Sequence, residues 1–216
     1  MHTKRKTIPT FWPIQRTGNK YVAVSTHEKS NSMPLIIVVR DILNITKSKK
    51  ELKLLLNEKK IIVNDKIVKE LNYPLCLFDT LSLPSIKKYY RANIINKKMN
   101  FEEITEKESH VKIYKVIGKK LLKNKKVQLN LSNGKNILST EKVNVGDFII
   151  INNENKILKI ISLKKDVEVI AIKGKHLGKE GKIKEMIKEG ENTLAVIIMP
   201  SKDEVKVNIK NLFAKL

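Results

Sequence analysis

The sequence predicts an α+β fold that is mostly β, with its helices near the N-terminus. Helical spacing of apolar residues begins at Pro34 and largely disappears after Pro84, where short β-rich runs separated by turn residues follow. A chain of 216 residues, 41% of them hydrophobic, can bury a core, and 31% charged residues argue against a membrane-embedded fold. We therefore expect globular domains.

The excess of basic residues is the strongest compositional signal. Lys and Arg number 44 against 22 Asp and Glu, a formal net charge of +22, which favours an acidic partner. No apolar run approaches the ~18 residues of a membrane span. Cys76 is the single cysteine, which excludes an internal disulfide and a CxxC zinc pair. We expect a cytoplasmic protein that contacts no membrane.

Residues 1–33 are predicted to form a basic, extended arm. They combine basic residues with Pro, Gly, Ser and Asn and keep no helical or strand period. Phe11, Trp12 and Tyr21 would order the arm, either by stacking on unpaired bases or by docking on the protein's own core. A floppy terminus is the other reading of this segment.

Residues 34–83 predict two helices followed by a hairpin. Apolar residues from Leu35 to Ile42 repeat at i, i+3, i+4 and i+7, which predicts a helix of about three turns. Ser48 and Glu51 have the spacing of a capping box at the start of the second helix. Asn64-Asp65 then separates two apolar runs, and both residues tolerate the left-handed backbone of a two-residue hairpin turn.

Residues 86–165 predict a central β-domain, either a small barrel or a strongly curved sheet. Asn133-Gly134 joins the runs 127–131 and 136–138 and is the strongest hairpin signal in the chain. Runs at 148–151 and 157–161 would complete the sheet.

The same segment carries 19 basic and 7 acidic residues. Its densest cluster consists of Lys112, Lys115, Lys119, Lys120, Lys123, Lys125 and Lys126. Such a cluster repels itself unless counter-charge is supplied, and phosphate is the obvious source. A solvated loop is the alternative.

Gly174 to Gly181 is predicted to form a tight β-turn that brings backbone close to a partner. A P-loop does not fit, because three residues separate the first two glycines and Glu180 follows Lys179. The four histidines lack metal or base spacing, and Cys76 lies in an apolar run typical of an inert thiol. We expect no catalytic residue, no cofactor, no metal site and no small-molecule substrate.

The order of these parts resembles ribosomal protein S4e, a small-subunit family of archaea and eukaryotes, across essentially the whole chain. The arm motif His2-x-Lys4-Arg5-x-x-x-Pro9-x-x-Trp12-Pro13-Ile14 and the run Pro34–Asp41 are similar to the family's N-terminal signature and first helix. Residues 34–83 resemble the S4-type (alpha-L) RNA-binding module, although Asn64-Asp65 stands where Asp-Gly is usual. Tyr89-Tyr90-Arg91 looks closer to archaeal members, and Gly174 to Gly181 looks like the KOW motif.

The resemblance implies four parts: a basic arm (1–33), an S4-type module (34–85), a central β-domain (86–165) and a KOW domain with an SH3-like barrel (166–216). It implies a structural constituent of the small ribosomal subunit that supports translation by binding ribosomal RNA, with neighbouring ribosomal proteins as further partners. Basic side chains would position the protein through phosphate contacts. The expected RNA-contacting residues are Lys4, Arg5, Lys6, Trp12, Arg16, Arg40, Lys47, Lys49, Lys50, Lys53, Lys59, Lys60, Lys66 and the seven lysines of the 112–126 cluster; the KOW-loop glycines are Gly174, Gly178 and Gly181.

Two other functions stay open at this point. An RNA-modifying or RNA-processing enzyme could use an S4-type module to capture substrate, but the remaining residues supply no recognisable catalytic domain. A transcription or translation factor could use the KOW loop to contact another protein, which the nearly neutral residues 166–216 allow. Salt-resistant cofractionation with small subunits would separate a constitutive ribosomal protein from such a factor.

Overall fold

The computed structural model describes residues 2–29, 31–122, 127–139, 141–153, 156–190, 192–200 and 203–215. The chain divides into two compact units, Met1–His110 and Val111–Leu216. Both units are mostly β, and within the described ranges α-helices occur only in the first, which confirms the predicted α+β, mostly β class. None of the described helices is long and apolar enough to cross a membrane.

Within its described residues, the first unit contains nine strands and three short α-helices. Its strands are β1 (His2–Lys4), β2 (Tyr21–Ala23), β3 (Ser32–Pro34), β4 (Ile62–Val63), β5 (Lys66–Ile67), β6 (Pro74–Cys76), β7 (Thr80–Leu83), β8 (Lys88–Ile95) and β9 (Lys98–Ile104). Its helices are α1 (Leu35–Ile37), which continues into a π-helical turn (Val38–Ile42), α2 (Lys49–Asn57) and α3 (Glu106–Ser109). β1 pairs with β2 and β3 with β6, and the other strands form an antiparallel sheet in the order β5-β4-β7-β8-β9.

Strands β8 and β9 belong to the sheet of the first unit. A 3-10 turn at Pro84–Ile86, followed by Lys87 in the left-handed region (φ 52°), folds β8 back onto β7, where Tyr90 pairs with Leu81. The sequence-based division instead placed a boundary between residues 85 and 86. The pairing of β7 with β8 depends on a turn without Gly or Asn, which carries no strong hairpin signal.

The first helical segment is shorter than the predicted three turns. It covers Leu35 to Ile42 and ends where the amide of Leu43 bonds to the carbonyl of Val38, five residues back. Asn44 then adopts a left-handed φ of 51°. Every residue from Leu35 to Val39 is buried, because this segment lies inside the apolar cluster of the first unit.

The second helix begins as predicted. The hydroxyl of Ser48 accepts a hydrogen bond from the amide of Glu51 at 3.2 Å. The Glu51 carboxylate accepts the amide of Lys47 at 2.8 Å, one residue before the position that a standard capping box uses. The predicted hairpin at Asn64-Asp65 is also confirmed, since both residues have left-handed φ angles of 49° and 62° between β4 and β5.

The second unit consists of two five-stranded antiparallel sheets. The strands of one sheet are β10 (Lys112–Leu121), β11 (Val127–Leu131), β12 (Asn136–Ser139), β13 (Phe148–Ile151) and β14 (Ile157–Ile161), in the order β12-β11-β10-β13-β14. The other sheet contains β15 (Glu168–Ala171), β16 (Glu180–Glu189), β17 (Asn192–Ile198), β18 (Glu204–Asn208) and β19 (Leu212–Ala214), in the order β18-β17-β16-β15-β19. Each sheet encloses its own apolar cluster, and the rings of Phe148 and Phe213 meet edge to face at 4.9 Å.

Candidate nucleic-acid interface

The N-terminal arm is paired and docked instead of extended. Strand β1 pairs with β2, which brings residues 2–4 against residues 21–23. The guanidinium of Arg5 donates to the carbonyl oxygens of Asn19 (2.7 Å) and Gln15 (2.8 Å). Arg5 therefore holds the intervening loop in place and has fewer N–H donors left for the RNA contact that was predicted for it.

Trp12 is part of the core and not of an RNA-contacting surface. Its side chain is only 1% exposed, and the indole N–H donates to the carbonyl oxygen of Ser32 at 3.1 Å. The structure therefore corrects the expectation that Trp12 contacts RNA. Trp12 is buried because its large apolar side chain gains more free energy on burial than the other side chains of the arm do.

Other basic residues of the arm do face solvent. Lys4, Lys6, Arg16 and Lys20 are exposed. Arg16 also donates to the carbonyl oxygen of Lys6 at 3.1 Å, which ties the two ends of the arm loop together. Lys20 was not among the predicted contact residues, although it lies directly beside the exposed aromatic residue Tyr21 in the sequence.

The α2 region carries an exposed row of lysines. Lys47, Lys49, Lys50, Lys53 and Lys59 are all exposed, as are Lys60 and Lys66. Lys60 forms an ion pair with Glu58 at 2.6 Å. In the described part of the chain, neither Lys49, Lys50 nor Lys53 has an ion-pair partner. These three ammonium groups are therefore available to an anionic ligand.

Arg40 differs from those lysines because it is already engaged. Its guanidinium contacts both carboxylate oxygens of the adjacent Asp41, at 2.6 and 2.8 Å. The hydrogen bond to Asp41 raises the pKa of Arg40 above its ordinary value. Arg40 can bind a phosphate only if its guanidinium divides its N–H donors between the phosphate and Asp41, or if it releases Asp41.

Side-chain bonds fix the hairpin that presents Lys66. The side-chain amide of Asn64 donates to Asp79 at 2.6 Å, and its oxygen accepts the amide of Thr80 at 3.1 Å. This network anchors the β4–β5 turn to the start of β7. Lys66 therefore projects from a defined position and not from a loose loop.

The lysine cluster at 112–126 divides into three groups. Lys112 is only 5% exposed, and burial together with the charge of Lys135 lowers its pKa to about 8. Lys119 and Lys120 are exposed near the end of β10. Lys123, Lys125 and Lys126 lie outside the described residues.

Lys115 has an internal role that the sequence did not reveal. Its ammonium donates to the carbonyl oxygens of Ile209 (2.6 Å) and Leu212 (3.1 Å) and lies 5.5 Å from the centre of the Phe148 ring. Burial lowers its pKa to about 8. Lys115 therefore connects the two sheets of the second unit and corrects the expectation that it contacts RNA.

The glycine-rich loop after β15 forms the predicted tight turn. Gly174 and Gly178 have left-handed φ angles of 89° and 79°, and the amide of Gly178 bonds to the carbonyl of Ala171 at 2.8 Å. Gly181 lies in β16, where a Cβ atom would come within 2.4 Å of the carbonyl oxygen of Ile198. The close approach of backbone at Gly181 is therefore to the protein's own strand β17.

The described residues lack a metal-binding cluster, and burial makes the thiol of Cys76 poorly reactive. They contain no group of three or more His, Cys, Asp and Glu side chains that could hold a metal. Burial raises the pKa of the Cys76 thiol to about 12, which disfavours the reactive thiolate.

The chain matches one protein family along its central part. A family model described as "Ribosomal family S4e" matches residues 86–158. The small ribosomal subunit protein eS4 of Methanocella arvoryzae is 32% identical over 208 residues, covering 94% of this chain and 88% of that protein. The eS4 protein of Nanoarchaeum equitans is 32% identical over 193 residues, covering 87% and 82%.

A solved structure has the same fold over most of the chain. The crystal structure of the 30S ribosomal protein S4e from Thermoplasma acidophilum superimposes with a TM-score of 0.72 at 22% sequence identity. The match covers 86% of this chain and 95% of that one.

Proposed function

The chain belongs to the ribosomal protein S4e family, and from that premise we propose that it is a structural constituent of the small ribosomal subunit that binds ribosomal RNA. Its place would then be the ribosome in the cytoplasm, without catalytic turnover. The observation that carries the proposal is the 32% identity to small ribosomal subunit protein eS4 over 94% of the chain.

The charge distribution supports RNA as the partner. Lys49, Lys50 and Lys53 are exposed on one short helix, and in the described part of the chain none of them has an acidic partner. An ammonium without a counter-charge gains most when it meets phosphate and releases a bound counterion. The exposed lysines near the β4–β5 hairpin and in the arm would extend the same surface within the first unit.

The proposal also assigns a role to each part of the fold. Helices α1 and α2 and the β4–β5 hairpin would act as an S4-type RNA-binding module, preceded by the basic arm of residues 1–33. The five strands from β15 to β19 would form an SH3-like KOW domain, with Gly174, Gly178 and Gly181 shaping its loop. β8 and β9 would serve the first unit, so the central β-domain would begin near residue 111.

Charge removal on α2 tests the RNA contact. We expect the triple variant K49Q/K50Q/K53Q to make the negative slope of log affinity against log salt shallower by about 2 to 3. The reason is that each lost phosphate contact removes roughly 0.7 to 0.9 from the magnitude of this slope. The probe is transcribed small-subunit ribosomal RNA of Methanocella arvoryzae, measured by filter binding from 50 to 300 mM KCl.

A variant with the same charge change provides the control. K182Q/K184Q/K215Q also removes three exposed lysines, but these already face Glu168 (3.6 Å), Glu204 (2.5 Å) and Glu180. It should leave the slope nearly unchanged. Equal slopes for the two triple variants would refute a specific α2 surface.

Sedimentation tests the ribosomal role itself. Cell lysate is centrifuged at low and at high salt, and gradient fractions are probed for this chain. We expect a stoichiometric peak with the small subunit that survives the salt wash. Recovery at the top of the gradient, or only in traces on subunits, would overturn the proposal and favour a transient factor.

A further inference from the structure

A cleft of about 590 Å³ opens between the N-terminal arm and the first helical segment. Gln15, Asn19 and Tyr21 line it from the arm, and Ile36, Ile37 and Arg40 line it from the helix. Its volume lies within the roughly 300–1,000 Å³ that small-molecule sites in proteins occupy. The cleft lies wholly within the first unit.

The walls of the cleft are held in place before any ligand binds. The arm side is fixed by the pairing of β1 with β2 and by the two bonds from Arg5 to backbone carbonyls. The helix side is fixed because Ile36 and Ile37 are 5% and 1% exposed within the core. A ligand would therefore lose little affinity to ordering the protein.

The cleft is lined by one half-exposed aromatic ring, that of Tyr21. Tyr21 is 50% exposed. The ring of His2 meets it edge to face at 4.7 Å, and the ammonium of Lys20 lies 5.4 Å from its centre. An exposed ring next to a cation is a typical stacking platform for an unpaired base.

The polar groups around this ring suit a nucleotide. Gln15 and Asn19 are exposed residues of the lining whose backbone oxygens hold Arg5, and both carry side-chain amides. Such amides can both donate to and accept from a base edge. The carboxylate of Asp41 is the one acidic group of the lining, and Arg40 neutralises it.

The rim is positively charged. The exposed residues Lys4 and Lys20 flank Tyr21, one as its strand partner and one as its neighbour in the sequence. Residues 1–33 carry six basic residues and one acidic residue. This charge complements the phosphates on either side of a bound base and disfavours a hydrophobic peptide.

We propose that this cleft binds one unpaired nucleotide of an RNA strand, with its base stacked on Tyr21 and its phosphates on Lys4 and Lys20. The inference rests on the proposed function, because it assumes an RNA partner. Bases within a duplex are stacked and paired, so only a single-stranded or flipped-out nucleotide can enter. The alternative occupant is a side chain of a neighbouring protein.

Binding of short RNAs to the full-length protein tests this site. The probes are a pool of random single-stranded 8-mers and a blunt-ended RNA duplex without unpaired nucleotides, measured by fluorescence anisotropy at one salt concentration. We expect Tyr21→Ala to weaken binding of the single strands about 5- to 150-fold, the typical loss of one stacked base. Binding of the duplex should stay unchanged.

Two further variants serve as controls. Tyr21→Phe keeps the ring and should bind the single strands like the wild type. Tyr89→Ala removes a partly exposed tyrosine that does not line the cleft and should have no effect. Urea unfolding of each variant checks that the fold is intact, which we expect because Tyr21 is half-exposed.

The outcomes separate this inference from the proposed function. If the wild type binds neither RNA, the RNA-binding proposal fails. If the wild type binds RNA but Tyr21→Ala weakens the binding of both probes equally, or of neither, the nucleotide site is refuted and the RNA-binding proposal stands. Photocrosslinking of 4-thiouridine RNA in assembled subunits should label residues 13–23. If a lysine-reactive protein–protein crosslinker instead links the rim residues Lys4 and Lys20 to a neighbouring protein and the RNA does not label residues 13–23, the cleft belongs to that protein.

Discussion

Gly181→Ala should destabilise the second unit, although alanine usually suits a strand better than glycine. A Cβ atom at residue 181 would lie 2.4 Å from the carbonyl oxygen of Ile198 and 2.5 Å from Cγ2 of Ile197. The first contact is with backbone, so no side-chain rotation relieves it. Strands β16 and β17 would have to separate locally by roughly 0.6 Å to reach even a tight 3.0 Å contact.

The expected loss follows from two opposing effects. Overpacking a well-packed site costs about 1–3 kcal/mol. Replacing glycine by alanine restricts the unfolded chain and returns about 0.4–1 kcal/mol. The middle of each range gives a net loss in the free energy of unfolding of about 1.3 kcal/mol. This loss lowers the melting temperature of a unit of this size by about 5–10 °C.

Gly118→Ala is the matched control. Gly118 also lies in a strand without a left-handed φ, and the nearest atom to its added Cβ is the side-chain nitrogen of Asn130 at 3.7 Å. This variant should be as stable as the wild type or slightly more stable. The unfolding midpoints of both variants are measured by far-UV circular dichroism during thermal and urea unfolding. Equal midpoints for Gly181→Ala and Gly118→Ala would refute the steric argument.

Two other substitutions test the corrections to the sequence-based expectations. Trp12→Ala should lower the free energy of unfolding by about 3–5 kcal/mol, because it empties a buried site and leaves the Ser32 carbonyl without the indole donor. Urea unfolding measures this loss. A loss close to zero would contradict the burial of Trp12, since removal of an exposed, RNA-facing ring would hardly change the stability. Burial lowers the pKa of Lys115 from 10.5 to about 8. Between about pH 8 and 10.5 the unfolded chain therefore binds more protons at this residue than the folded chain does. As a result, the contribution of Lys115 to the free energy of unfolding rises with pH over this range. Lys115→Met should remove that rise, seen as the difference between wild-type and variant urea midpoints at several pH values; parallel profiles would contradict a buried, titrating ammonium.

Local features of the fold could be read from the sequence because their causes are local. The turn at Asn64-Asp65 depends on two residues that tolerate left-handed backbone, and the start of α2 depends on one hydroxyl near one amide. One local signal was overlooked. Thr105 and Glu108 form a complete capping box at the start of α3, and the Thr-x-x-Glu spacing was visible in the sequence.

The placement of Trp12 and Lys115 could not be predicted in the same way. The partner of the Trp12 indole is twenty residues away, and the carbonyls that hold Lys115 are more than ninety residues away. Composition records that a residue is aromatic or basic, but the choice between core and surface depends on these distant partners. Charge density alone therefore overestimates an RNA interface.

The pairing of lysines gives a better criterion than their number. In the second unit, Lys182, Lys184 and Lys215 each form an ion pair with a glutamate. A phosphate must displace such a partner before it gains the lysine, so the exchange yields little net free energy. Lys49, Lys50 and Lys53 have no such competitor within the described residues. The binding free energy of RNA should therefore depend more on these three lysines than on an equal number in the more basic central segment, where Lys112 is buried and the half-buried Lys115 is bonded to backbone carbonyls.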